Sequence, residues 1–426
     1  MPCTACHTAF PQLNPFGRAF KLNGYTMSNE QSSLPPLAMM LQGAPGFTHT
    51  ERRQPRADVP RGFSRNDNMS INQLSFFYAG RLFGPYADWF AGKSLASILN
   101  SIGVFAQGTW DRVAKQWAWD NVEVRAAHAT TIAGTDVTFG GYINNNPTMQ
   151  DLWNTTPAWS FPFADSNLAP APAAAPLIAG GLAQQVIGFG GYSMINHLLY
   201  VDVGAYRSLA PHVQKSLGVD PTGETELDDF APYWRLALEK NEGIHSLEFG
   251  TFGLAARTFP RRNHSAGRDT ITDVGVDSQY QYLGTPHDVT ILANWMYEMQ
   301  RLHASRQLGV AGHSSNTLWT ASLTGSYLYD KTYGFDIQYF TIGGKKDVTL
   351  YGPRTGGPAS DRWVFELDYL PFNKMGGPRI WPASNVKLSL EYALYTQFNG
   401  AHRNFDGSGR NASANNAVYL SAWIDF

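Results

Sequence analysis

The chain has 426 residues, with 32 Lys and Arg against 34 Asp and Glu and a formal charge of −2. So even a balance suggests neither nucleic acid nor an anionic surface as a partner recruited by bulk electrostatics. Charged residues make up only 15% while Gly, Tyr, Trp and Phe are plentiful, which suits a β protein with an aromatic, partly apolar exterior. No run of about 18 uncharged apolar residues occurs, so a transmembrane helix is excluded, whereas a barrel of alternating strands is not.

The chain begins with Cys3-Thr4-Ala5-Cys6-His7, a C-x-x-C-H run. This is the attachment signature of a c-type haem. Two thiols must reach the two vinyl groups of one porphyrin, and the next residue must present an imidazole to the iron. The two cysteines of the chain both lie in this run, which leaves none for a structural disulfide or a four-ligand zinc site. A thioredoxin-type dithiol shares the C-x-x-C spacing, but that motif opens a helix in a βαβ unit, and the surrounding pattern is not of that kind. Met1 stands two residues before Cys3, too close to hold the charged and apolar regions of a signal peptide ahead of the motif. Covalent haem of this kind is attached outside the bacterial cytoplasm, and the expectation is a mature or trimmed chain.

Residues 1–36 read as the cytochrome segment and 37–426 as a second unit. Phe16, Phe20 and Leu22 are placed to cover a porphyrin face, and Gly17 and Gly24 to permit tight turns. Arg18 and Lys21 are candidate partners for haem propionates, with a lumen-facing or solvated charge as the equal alternative. Met27 is the candidate sixth ligand, since a thioether trans to His7 favours a high potential; a packing role is the ordinary fate of a Met. A segment this short cannot enclose a haem alone and needs walls from the remainder of the chain. Leu34-Pro35-Pro36 reads as a hinge.

From there on one pattern repeats: about ten alternating residues, then a turn or a long loop. The segments lie near 37–50, 70–83, 102–111, 117–131, 137–144, 184–191, 196–207, 230–239, 244–257, 272–283, 288–301, 315–328, 333–343, 361–371, 385–397 and 415–426. They number about sixteen, the even count a membrane barrel requires. In 385–397, Val386, Leu388, Leu390, Tyr392 and Leu394 share one face while Lys387, Ser389, Glu391 and Tyr395 share the other. So long a barrel encloses a lumen too wide for side chains to fill, so the apolar face belongs outward, in lipid. Short turns alternate with long connections, except near 84–101 and 112–116. The Pro/Ala-rich stretch within 145–183 reads as an external loop folding over or into the mouth, with Trp153, Trp159 and Phe163 packing there. His212, His264 and His313 fall in separate loops and read as solvated. Val418, Leu420, Ala422, Ile424 and Phe426 alternate to a terminal Phe, similar to the closing-strand signal of outer-membrane proteins.

An all-β transmembrane barrel preceded by C-x-x-C-H resembles the fused monohaem cytochrome-porins of the bacterial outer membrane. Cys3, Cys6 and His7, the Phe10–Tyr25 run and Phe426 carry the resemblance. It implies one covalent haem c held as a plug, passing electrons from an extracellular donor, ferrous iron in that family, to a periplasmic electron-carrier cytochrome. A passive porin with a structural haem plug and an outward conduit to an external acceptor are the alternatives. No hydrolase or transferase constellation stands out.

Overall fold

The computed structural model describes residues 5–8, 12–27, 36–84, 87, 92–156, 165–219, 225–352, 354–374 and 384–425. Sixteen antiparallel strands close into one barrel. The first, β1, comprises Leu37–Gln42 and Gly46–Thr50, and β2 comprises Asn68–Ser70 and Gln73–Arg81. Then come β3 (Ile102–Asp111), β4 (Gln116–Ile132), β5 (Thr135–Asn144), β6 (Val186–Ile195), β7 (Leu199–Ser208) and β8 (Ala231–Glu242). The second half comprises β9 (His245–Phe259), β10 (Asp269–Leu283), β11 (His287–Arg301), β12 (Ser315–Tyr329), β13 (Tyr333–Gly344), β14 (Ser360–Tyr369), β15 (Asn385–Gln397) and β16 (Ala417–Asp425). Each strand pairs with its chain neighbour, and β16 returns to β1 through Met40↔Asp425 and Leu420↔Phe47. Closure leaves no open edge, which is what lets a sheet stand in hydrocarbon.

The alternation read from the sequence sets the two faces. On β15, Leu388 and Leu390 are 43% and 44% exposed on the outer surface, while Ser389 and Glu391 are buried in the lumen wall. On β10, Val276 faces outward and Asp273, Asp277, Gln279 and Gln281 face inward. The molecule is thus inverted relative to a soluble barrel, with polar groups inside and an apolar band outside. Near the short-turn end the band carries rings packed across strands: His245 tilted on Tyr282 at 5.3 Å, His287 tilted on Tyr329 at 5.6 Å and Tyr333 stacked on Tyr369 at 5.5 Å. An apolar band edged by aromatic rings is the exterior of a protein that stands in lipid. The chain is an outer-membrane β-barrel and contacts membrane lipid along this band. Among the described residues, no helix is long and apolar enough to cross a membrane.

Most connections at one end are tight, as between β4 and β5 or β8 and β9, and those at the other end are long. The short-turn end is the periplasmic one by the habit of such barrels. The irregular places are those the spacing marked. The β2–β3 connection is long and contains a helix, Lys93–Asn100, whereas the β3–β4 connection on the long-loop side is short. The β14–β15 connection, 370–384, is also longer than its side of the barrel would suggest.

Candidate functional site: the plug in the lumen

Among the described residues, two pieces of chain occupy the lumen. One is the N-terminal segment, with helix α1 (Pro15–Leu22); the other is the β5–β6 loop, packed on the wall at its start through Trp153 and near its end through Ile178 and Leu182. Helix α1 begins where it does because Asn14 caps it, its side chain accepting from Gly17 N at 2.8 Å, and because Pro15 has no N–H to lose at the first turn.

Residues ahead of the helix fold back on it. Asn14 N donates to Cys6 O at 2.9 Å, and its side-chain amide donates to Ala5 O at 3.0 Å. His7 bridges to Leu13, and Thr8 N donates to Gln12 O. A Cβ at Gly17 would lie 2.3 Å from Cys6 O, so this glycine permits close approach rather than a turn. Gly24, at φ +64°, does serve a turn. Cys6 is half-buried, and burial pushes its thiol pKa up. Cys3 and Phe10 lie outside the described residues.

His7 lines a part-open cavity of about 790 Å³ at the short-turn end of the lumen. Its other walls come from strand ends of β11 to β16, including Tyr327, Leu328, Asp336, Asp368, Lys387 and Trp423. Cys6 and His7 are the described residues whose chemistry suits holding a prosthetic group here. Beside them, carboxylate oxygens of Asp336, Glu366 and Asp368 lie within 4.8 Å of one another. Lys387 Nζ supplies the counter-charge, 2.6 Å from Glu366 and 3.3 Å from Asp368.

Met27 is not among the residues lining that cavity and is 42% exposed, so the structure does not join it to His7. Arg18 and Lys21 take the lumen-facing alternative. Arg18 is buried and donates to Glu239 Oε1 at 2.8 Å, Gln281 Oε1 at 2.7 Å, Ser246 Oγ at 2.5 Å and Asn241 Oδ1 at 3.2 Å. Lys21 Nζ donates to Asp151 O at 2.6 Å and Asn154 Oδ1 at 3.2 Å. Burial pushes the Lys21 pKa down to about 8. Pairing with propionates would require both cations to exchange these partners. Their present work is to fasten the plug to the wall and to the inserted loop.

The loop is fastened in turn. Asp151 accepts from Trp153 N at 2.9 Å and Thr155 N at 3.0 Å and lies 3.4 Å from Arg235 of β8. Against the upward push of burial, Arg235 and Lys21 hold its carboxyl below the ordinary range. Arg235 also meets Asp277 at 2.7 Å and Glu248 at 3.1 Å. Trp153 packs edge-on to Tyr200 at 5.6 Å and joins Leu22, Tyr142 and Tyr192 in one cluster. Tyr192 and Tyr25 complete the seam, donating to Leu22 O at 2.6 Å and Glu123 Oε1 at 2.8 Å. Trp153 thus packs inside the mouth as the sequence suggests; Trp159 and Phe163 lie outside the described residues.

His212, His264 and His313 are exposed on separate loops, and the latter two face Glu226 and Asp347. Sequence reasoning missed Asp151, Arg235 and the Asp336–Glu366–Asp368–Lys387 group. For Arg235 and that group the one advance signal is position, charged residues on the inward parity of strands whose outward parity is apolar; Asp151, in a loop, has none.

No protein-family model matches the chain, and no curated protein matches it in sequence. Solved structures similar in shape include the outer membrane channel DcaP of Acinetobacter baumannii, with 12% identity, a TM-score of 0.46, and coverage of 92% of this chain and 96% of that one. Salmonella typhi OmpF, solved with daunomycin, has 11% identity and a TM-score of 0.45, covering 92% and 97%. An anion-selective porin from Comamonas acidovorans has 9% identity and a TM-score of 0.43, covering 91% and 98%. At this distance the likeness carries no information on ligand or activity.

Proposed function

We propose that this barrel passes single electrons between an extracellular donor and a periplasmic acceptor by way of one haem c. Cys3 and Cys6 would hold the group by thioether bonds, and His7 would ligate its iron. Bound there, it would supply one-electron exchange. The reading rests on one observation above others: the histidine of a C-x-x-C-H run lines a part-open cavity inside a closed barrel. The donor chemistry fits, and Leu328, Leu370 and Trp423 give the cavity apolar surface. The Asp-rich remainder of the wall is the less congenial part for propionates.

The chain's own residues have definable tasks in such a conduit. The bonds from Asn14 to Ala5 and Cys6, and from Thr8 to Gln12, hold Cys6 and His7 against α1. Arg18 and Lys21 keep that unit at a fixed place on the wall. The ladder of sixteen strands keeps lipid from the plug without leaving backbone groups unpaired. The inserted loop restricts water in the lumen. Ferrous iron as donor and an electron-carrier cytochrome as acceptor come from the resemblance of motif and architecture alone.

A passive channel is the second reading, favoured by the polar lumen wall, which suits water and ions. Two measurements separate them. Haem should survive acid-acetone extraction from the native protein and be missing from a Cys3→Ala, Cys6→Ala variant. In sealed, oriented proteoliposomes, ferrous iron added outside should reduce it, as read by absorbance. Haem that extracts fully, or external donors that never reduce it while small solutes cross freely, would leave the passive channel standing. A strongly positive reduction potential would support inward flow; a negative one would favour outward flow.

A further inference from the structure

We propose that the external mouth bears a binding surface for the phosphate groups of outer-leaflet lipopolysaccharide, built from arginines of the β1–β2 and β15–β16 loops. The assignment stands apart from the redox reading. Residues 51–67 carry Arg52, Arg53, Arg56, Arg61 and Arg65, all exposed, and residues 398–416 carry exposed Arg403 and buried Arg410. The two loops are neighbours because β16 pairs with β1. Glu51 N donates to Asn416 O at 2.8 Å, and Arg52 Nη1 reaches Gly409 O at 3.4 Å. Burial and the like charges of Arg52 and Arg65 push the Arg410 guanidinium below its ordinary pKa, against Asp406 and Asp58. The β13–β14 loop adds Lys345, Lys346 and Arg354, the last with its Cδ 3.5 Å from the position a Cβ on Gly407 would take.

Across these three loops ten Lys and Arg face five Asp and Glu. Two of the five are otherwise engaged. Asp67 holds His49 at 2.6 Å, and Asp347 is buried, accepting from Gly312, His313, Thr349 and Leu350. Among the described residues, none of the five arginines of 51–67 has a carboxylate within ion-pair distance. The same mouth shows what compensation looks like. Near β8 to β10, Arg257 pairs with Asp228 and Asp229, Arg262 with Glu226, and Arg268 with Asp228. One sector is neutralised internally and the other is left for an external anion.

Position selects the source of that anion. The basic loops rise from strands whose outer faces are apolar, with Met69, Leu388 and Leu420 exposed. Lipid phosphates lie just beyond the hydrocarbon band, at the level where such loops begin. A guanidinium offers phosphate a planar pair of donors, and several together bind it more strongly than one.

The test titrates full-length protein in detergent with bisphosphorylated lipid A, read by native mass spectrometry. Wild type should bind it, and an Arg52→Gln, Arg53→Gln, Arg56→Gln, Arg65→Gln variant should bind at least about tenfold more weakly, a loss of ~1.4 kcal/mol. Retained heat-modifiable gel mobility would show that the variant is folded. Arg257→Gln with Arg268→Gln should bind as wild type does. Binding should weaken with added salt. Equal binding by the four-residue variant, or equal binding of dephosphorylated lipid A, overturns the proposal. Pyrophosphate binding as tightly as lipid A would mark a soluble-anion site and overturn it too.

Discussion

Arg18 of the plug helix donates through Nε to Glu239 Oε1 of β8 at 2.8 Å, across 221 residues of sequence. Both groups are buried in the lumen, so the contact works as a fastening rather than a surface ion pair. Arg18→Met leaves the Glu239 carboxylate without its cation. A buried pair broken on one side costs about 3–5 kcal/mol. The plug should become accessible to protease at residues 12–27 while the barrel keeps its heat-modifiable mobility. Unchanged cleavage would mean that Arg18 does not hold the plug.

Lys21 makes docking depend on pH. Its docked pKa, about 8, is lower than the ~10.4 of a solvated lysine. Between those values the released plug binds more protons than the docked one, so docking strengthens as pH rises through the window. Below pH 8 the cost of burying the ammonium is fully present. A spin label at Met27→Cys should report release at higher urea at pH 10 than at pH 7, and Lys21→Met should flatten that difference.

Gly17 is where the cysteine hairpin meets α1. Gly17→Ala places a methyl 2.3 Å from Cys6 O, a backbone atom that cannot swing aside. The variant should assemble a normal barrel but incorporate less haem, measured by pyridine haemochrome per folded protein. Full haem content would show that the close packing is dispensable.

The Arg235 cage restrains the inserted loop. Arg235→Met strands Asp151, Asp277 and Glu248 in a buried pocket, again a loss of about 3–5 kcal/mol. The loop should leave the lumen, and single-channel conductance in planar bilayers should rise. Asp151→Asn, which keeps the wall intact, should give a smaller rise. Conductance equal to wild type in both would mean that the loop does not obstruct the pore.

The two faces of β15 can be tested directly. Leu390→Lys puts an ammonium in lipid and should destabilise by about 2–4 kcal/mol if that residue lies near the midplane. Ser389→Lys points into the polar lumen and should be mild. Bilayer unfolding of the two variants gives the comparison.

The sixteen strands and their outward faces were legible in the amino-acid order, their ends less so: β6 runs to Ile195 where the pattern suggested 191, and β8 to Glu242 where it suggested 239. A membrane strand writes its environment every second residue, and Leu388, Leu390 and Tyr392 against Ser389 and Glu391 can be read without a partner strand. The C-x-x-C-H run was equally legible, because covalent attachment demands neighbouring residues. What only the tertiary structure decided is who meets whom inside the lumen. Arg18 finds Glu239, Lys21 finds Asp151, Met27 stays off the His7 cavity, and Asp336 comes to lie opposite Glu366 across β13 and β14. Those meetings depend on strand register, on closure of β16 onto β1, and on how far the loop and plug descend. A lumen residue's own neighbours in sequence point outward, into lipid. Local pattern therefore says that a charge is inside, and only the closed barrel says what neutralises it.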